Sequence, residues 1–123
     1  MAEELQKYLK RLLPTVEGLL SIIISDRDGV QLVAAHDQAP PGTLRPPFLG
    51  TFAIATEQAS KLGLGKNKSI ISYYSGHQVV QFNHSPLVLT FVATGEANTG
   101  LIYSLEEDLR DAVTDLQGAV NVL

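Results

Sequence analysis

Two carboxylates, an arginine and a glycine stand together in Ser25-Asp26-Arg27-Asp28-Gly29, a grouping that invites a calcium loop. With Gly29 at the sixth position of an EF-hand loop, the first position falls on Ile24 and the twelfth on Ala35, where the cation requires carboxylate oxygen. The loop fails at both ends, so the aspartates are read as capping turn amides, as Asp does in tight turns. Gly63-Leu64-Gly65-Lys66-Asn67-Lys68-Ser69 invites a phosphate loop in the same way. That motif needs glycine, four residues, then Gly-Lys-Ser/Thr; here Ser60 stands at the first-glycine position and Asn67 follows Lys66. The three histidines, His36, His77 and His84, fall at a strand end, in a hairpin and in a turn, without a Gly-x-Ser-x-Gly or a metal-spaced pair beside them. They read as surface histidines. Arg27 is the arginine best placed to enter a GTPase, and reads as a solvated turn residue. The expectation is a non-catalytic chain with no cofactor and no metal.

Composition narrows the classes further. A chain of 123 residues buries about two-thirds of its unfolded surface, enough for one domain without a staple. Cysteine is absent, which removes disulfides, thiolate nucleophiles and sulfur-based zinc sites. A net charge of -4 and a pI near 5.2 argue against nucleic acid, whose phosphates demand a concentrated basic surface. The opening MAEELQKYLKRLL is acidic first and basic later, the reverse of a signal peptide, and no apolar run approaches the roughly 20 residues of a membrane span. Asn67-Lys68-Ser69 and Asn83-His84-Ser85 match the glycosylation sequon, which matters only in a secreted protein, and without a signal-peptide pattern they are read as chance.

The elements that carry these residues follow from periodicity. Leu5, Tyr8, Leu9 and Leu12 recur at helical spacing until Pro14 stops the helix. Leu19 to Ile24 and Val30 to Ala35 flank the turn at Asp26 to Gly29 and predict a β-hairpin. Residues 37 to 47, DQAPPGTLRPP, predict a stiff exposed connection, with Pro47 suited to the first turn of a second helix. In that helix Phe48, Phe52, Ala55, Ala59 and Leu62 form one stripe, with Leu49, Ala53 and Thr56 beside it. Gly50, costly in a helix, fits close approach of another backbone. Ser69 to Tyr74, His77 to Asn83 and Leu87 to Thr94 predict three more strands. Thr99 is expected to cap a last helix with Ile102, Leu105, Leu109, Ala112 or Val113, and Leu116 inward, and Glu106, Glu107, Asp108, Asp111 and Asp115 outward.

The fold class predicted is α+β, in the order α-β-β-α-β-β-β-α. Leu19 to Ile24 and Leu87 to Ala93 are apolar on both faces, which makes them central. An antiparallel sheet of order 2-1-5-4-3 results, with one helix on one face and two on the other. Its third strand is then an edge with no charge or proline inside SIISYY. A short solvated edge and an edge covered by a second chain both satisfy that pattern.

The words LPTVEGL, SDRDGV, LRPPFLGTFAIAT, SKLGLGKNKSIISYY, QVVQFN and ANTGLI with SLE, in this order over nearly the whole chain, resemble the roadblock family. Within it they are similar to the branch that binds MEK in the late endosomal and lysosomal adaptor complex, the Ragulator. The resemblance implies one roadblock domain over residues 1–123 and an adaptor role that scaffolds MEK and ERK kinases. It also implies help in recruiting Rag GTPases and the mTOR complex to lysosomes in amino-acid signalling. The implied partners are a second roadblock subunit, giving a heterodimer, and the lipidated subunit of the Ragulator. That subunit would hold the chain at the cytoplasmic side of the late endosome and lysosome, with no membrane insertion of its own. The family's dimer seam maps onto Phe48, Leu49, Phe52, Ala53 and Thr56 of the second helix and Ile70, Ile71, Ser72, Tyr73 and Tyr74 of the third strand. Glu106, Glu107 and Asp111 are a possible docking surface for basic segments. A small-molecule-sensing domain of similar build and a direct GTPase regulator are the alternative functions.

Overall fold

A computed structural model describes residues 2–38 and 46–122. Most of the proline-rich connection expected at 37–47 lies outside the described residues. The elements are α1 (Ala2–Leu12), β1 (Leu19–Asp26), β2 (Gln31–His36), α2 (Pro46–Ala59), β3 (Ser69–Tyr73), β4 (His77–His84), β5 (Leu87–Thr94) and α3 (Thr99–Val122). Single 3-10 turns follow α1 and α2 at Leu13–Thr15 and Ser60–Leu62. The strands form one antiparallel sheet in the order β2-β1-β5-β4-β3, as the pattern predicts.

The two central strands pair with Ile22 opposite Phe91 and Ile24 opposite Leu89. Successive side chains along a strand point to opposite faces. Ile22, Ile24, Val80, Phe82, Leu89 and Phe91 therefore share one face, and they cluster with Leu9, Leu12 and Leu13 at the end of α1 and with Ile102, Leu105, Leu109 and Val113 of α3. The core lies here, between the sheet and two helices. Burying one such side chain stabilises the fold by roughly 1.5–3 kcal/mol. The other face is smaller in residue and more polar, with buried Ser21, Ile23, Ser25, Gln81 and Thr90. It is left for α2, whose buried residues Leu49, Phe52 and Thr56 lie outside the main cluster.

Local chemistry fixes how the elements meet. Asp26 Oδ1 accepts the backbone N–H groups of Asp28 and Val30, each at 2.9 Å, so this aspartate caps its turn as expected. Gly29 has φ +89°, the left-handed region that the turn requires. A Cβ on Gly50 would sit 3.1 Å from the backbone oxygen of Asp28; the first turn of α2 lies against the β1–β2 turn, and glycine permits that approach. At α3 the cap differs from expectation. Asn98, one residue earlier than Thr99, accepts the Leu101 N–H on its Oδ1 at 3.0 Å. Thr99 instead donates to Oε1 of buried Gln78 at 2.5 Å, while Gln78 Nε2 donates to the carbonyls of Thr94 and Ala97. One fully buried amide thus ties β4 to the start of α3.

Candidate functional site

β3 is the open edge of the sheet. Its register with β4 runs from Ser69 opposite Phe82 to Tyr73 opposite Gln78 without a bulge. The bonds that close this ladder come from the Asn83 N–H to the Lys68 carbonyl and from the Tyr74 N–H to the His77 carbonyl. In an antiparallel pair, bonded residues alternate with residues whose backbone groups point away. Even-numbered residues from Lys68 to Tyr74 therefore face β4. The N–H and C=O groups of Ser69, Ile71 and Tyr73 point outward from the edge, where a further strand would find them. No inward charge, proline or bulge blunts this edge.

The side chains along it divide between the two faces. Ile71 and Tyr73 lie on the α1/α3 side, level with Val80 and Gln78, and are 41% and 64% exposed. Tyr74 is 60% exposed. Two hydroxyl bonds hold β3 to α3: Ser69 Oγ with Tyr103 Oη at 2.9 Å, and Tyr73 Oη with Thr99 Oγ1 at 2.8 Å. Tyr103 also leans on Phe82, with ring centroids 4.8 Å apart. Ile70 and Ser72 lie on the α2 side and are half-buried.

Among the helix residues matched to the seam, Leu49, Phe52 and Thr56 are buried within the chain, and Thr56 Oγ1 donates to Asn67 Oδ1 at 2.7 Å. Phe48 and Ala53 are half-buried. Leu62, expected to end the apolar stripe, sits on the 3-10 turn and is exposed. Ile54, which is not among the residues matched to the seam, is 67% exposed on the side of α2 opposite Leu49 and Phe52. The signal for it was present: a helix that is apolar nearly all round needs cover on more than one side.

The acidic face of α3 needs a correction. Glu106 was expected outward, but the structure buries it against β4. Arg110 donates from Nε at 3.1 Å and from Nη2 at 2.7 Å to its carboxylate. His84 Nε2 lies 3.3 Å from Glu106 Oε1 without hydrogen-bond alignment. The reason is spacing: Glu106 comes four residues after Ile102 and three before Leu109, on the border of the inward stripe. Glu107 and Asp111 are exposed as expected. His84 is therefore no surface histidine; its ring is 15% exposed. Burial lowers its pKa, and burial lowers that of His36 as well. The bond from Arg110 lowers the pKa of Glu106.

Among the described residues, no group of three His, Cys, Asp or Glu side chains is placed to hold a metal ion. Among them too, no helix is long and apolar enough to cross a membrane. The arrangement offers surfaces for pairing: an unblunted strand edge, tyrosines beside it, and an apolar helix next to it.

Comparison with known proteins places the fold and the family. The family model described as mitogen-activated protein kinase kinase 1 interacting matches residues 3–120. Ragulator complex protein LAMTOR3-B of Xenopus laevis is 57% identical over 99% of this chain and 100% of its own length. Ragulator complex protein LAMTOR3 of Homo sapiens is 56% identical over 99% of both. A roadblock/LC7 domain from Streptomyces avermitilis superposes with a TM-score of 0.69 at 13% identity, covering 89% of this chain and 97% of that one. The fold is thus a roadblock fold, and the chain belongs to the mitogen-activated protein kinase kinase 1 interacting family.

Proposed function

We propose that residues 1–123 act as one roadblock domain and as a non-catalytic adaptor subunit of the Ragulator. The observation that carries this reading is the open edge of β3, where the outward amides of Ser69, Ile71 and Tyr73 stand beside exposed aromatic side chains. A second roadblock subunit adds its own edge strand there, joining two sheets into one. Ile70, Ile71, Ser72, Tyr73 and Tyr74 line the strand side of the seam. On α2, Phe48 and Ala53 meet the partner, while Leu49, Phe52 and Thr56 hold the helix to its own sheet.

The remaining surfaces serve the rest of the complex. The lipidated subunit wraps the pair and ties it peripherally to the cytoplasmic side of the late endosomal and lysosomal membrane. In this setting the chain scaffolds MEK and ERK kinases and helps recruit Rag GTPases and the mTOR complex. The names of the full-length relatives support Ragulator membership, and the description of the matching family supports kinase binding. Glu107 and Asp111 form the exposed part of the docking surface, with Glu106 positioning the helix beneath them.

The test is replacement of the endogenous chain in cells by a Glu107→Lys, Asp111→Lys variant and, separately, by Tyr73→Lys. The seam variant should leave lysosomes and lose the second roadblock subunit. The charge variant should stay on lysosomes and lose one basic partner. Equal loss of every partner in the charge variant would remove the dedicated docking surface, and lysosomal retention of the seam variant would remove the adaptor assembly.

A further inference from the structure

Arg27 and Lys66 come from the two motifs set aside in the sequence, the aspartate turn and the glycine loop, and the fold brings them to one cleft. It is open, about 240 Å³ in volume, and lies between the β1–β2 turn, the end of α2 and the β4–β5 turn. Ser85 reaches it from that last turn. Among the described residues, the Arg27 guanidinium, the Lys66 ammonium and the Ser85 hydroxyl have no hydrogen-bond or ion-pair partner. Three elements thus present free donors to one space.

The loops that carry these donors are pinned from below. Asp26 Oδ1 caps the Arg27 turn through the N–H groups of Asp28 and Val30. The backbone N–H next to Lys66, that of Asn67, donates to Ser60 Oγ at 2.9 Å, and the Asn67 amide is held by Thr56 Oγ1 at 2.7 Å. Ser85 is held by its own N–H on Asn83 Oδ1 at 3.0 Å. The side chains of the cleft floor are therefore committed to the protein, and the rim is not. Among the described residues that line the cleft, Glu57 is the single acid.

We infer that this cleft is an anion site for a phosphate monoester, either free or carried on a lipid headgroup. A guanidinium fork, an ammonium point charge and a hydroxyl suit the several acceptor oxygens of a phosphate better than the two of a carboxylate. Glu57 opposes the charge and limits affinity, which gives the site a signature of its own. Removing either cation weakens binding, and removing Glu57 strengthens it. The inference is independent of the dimer seam.

The test is an NMR titration of the full chain with inorganic phosphate at constant ionic strength. Saturable shifts should centre on Arg27, Lys66 and Ser85. Arg27→Gln and Lys66→Gln should each weaken binding by about fivefold, Glu57→Gln should tighten it by about twofold, and Lys7→Gln on α1 should change nothing. Absence of saturation, or titrations of Arg27→Gln and Lys66→Gln unchanged from the unsubstituted chain, would overturn the site. Co-sedimentation with vesicles carrying phosphatidylinositol phosphate, against phosphatidylcholine alone, then separates the sources. Pelleting lost in Arg27→Gln assigns the headgroup, no pelleting beside retained phosphate binding assigns a soluble monoester, and pelleting unchanged in Arg27→Gln contradicts the site.

Discussion

Two neighbouring prolines distinguish an edge that pairs from one that is merely solvated. At Ile71 the backbone N–H points away from β4, and at Ser72 it points toward β4. Proline removes one donor in either place and is tolerated only where that donor faces outward. Ile71→Pro therefore leaves the ladder of β4 intact and deletes a central donor for the partner strand. The partner's carbonyl is left unpaired in the seam, a loss of about 1–3 kcal/mol, or roughly 5- to 150-fold in Kd. Stability of the isolated chain should change by under about 1 kcal/mol, since the Ile71 side chain is already 41% exposed. Ser72→Pro breaks a bond within the chain and should cost about 1–3 kcal/mol of unfolding free energy. Calorimetric titration with the second roadblock subunit reads the first quantity, and urea unfolding of each variant alone reads the second. Equal destabilisation by both prolines, or a wild-type Kd for Ile71→Pro, would refute the outward phase of these amides and the strand pairing built on it.

Other consequences follow from buried polar groups. Gln78→Leu keeps the volume but leaves the carbonyls of Thr94 and Ala97 without their donor; a loss of about 2–4 kcal/mol of stability is expected by urea unfolding, and under about 0.5 kcal/mol would show that water replaces the amide. Acid should weaken the fold in two stages. The His84 and His36 pKa values lie below the ordinary histidine value of 6.5, so the unfolded chain binds protons first and stability falls as pH drops below that value. Glu106, held below the ordinary 4.5 by Arg110, contributes stability that is present above that value and lost beneath it. His84→Gln should flatten the upper stage in a pH series of thermal unfolding, and an unchanged slope would place the titration elsewhere.

Much of this was legible in the residues because a few strong signals agreed. The runs Leu19 to Ile24 of β1 and Leu87 to Ala93 of β5 carry no charge on either face, which places them centrally, and each local hairpin fixes its neighbour. The stripe from Ile102 to Val113 names the inward side of α3 directly. α2 was harder, because small and apolar residues surround it and give no sharp face. Leu49, Phe52 and Thr56 win burial through tertiary packing, and Ile54 loses it. Glu106 is hidden for a related reason: its charge groups it with the outward acids, while its position beside Leu105 sets it against β4. His84 gave no local sign of burial, since its cover comes from α3, more than 20 residues away in the chain. The backbone phase of β3, which decides the seam, is set by its ladder with β4 and is invisible to hydropathy.

The most direct test of the central claim is the solution mass of the purified chain by light scattering, alone and mixed with a second roadblock subunit, with Tyr73→Lys as control. An adaptor built through β3 requires a one-to-one heterodimer that the lysine abolishes. A chain whose mass is unaffected by the partner would contradict the account and return attention to a small-molecule-sensing role.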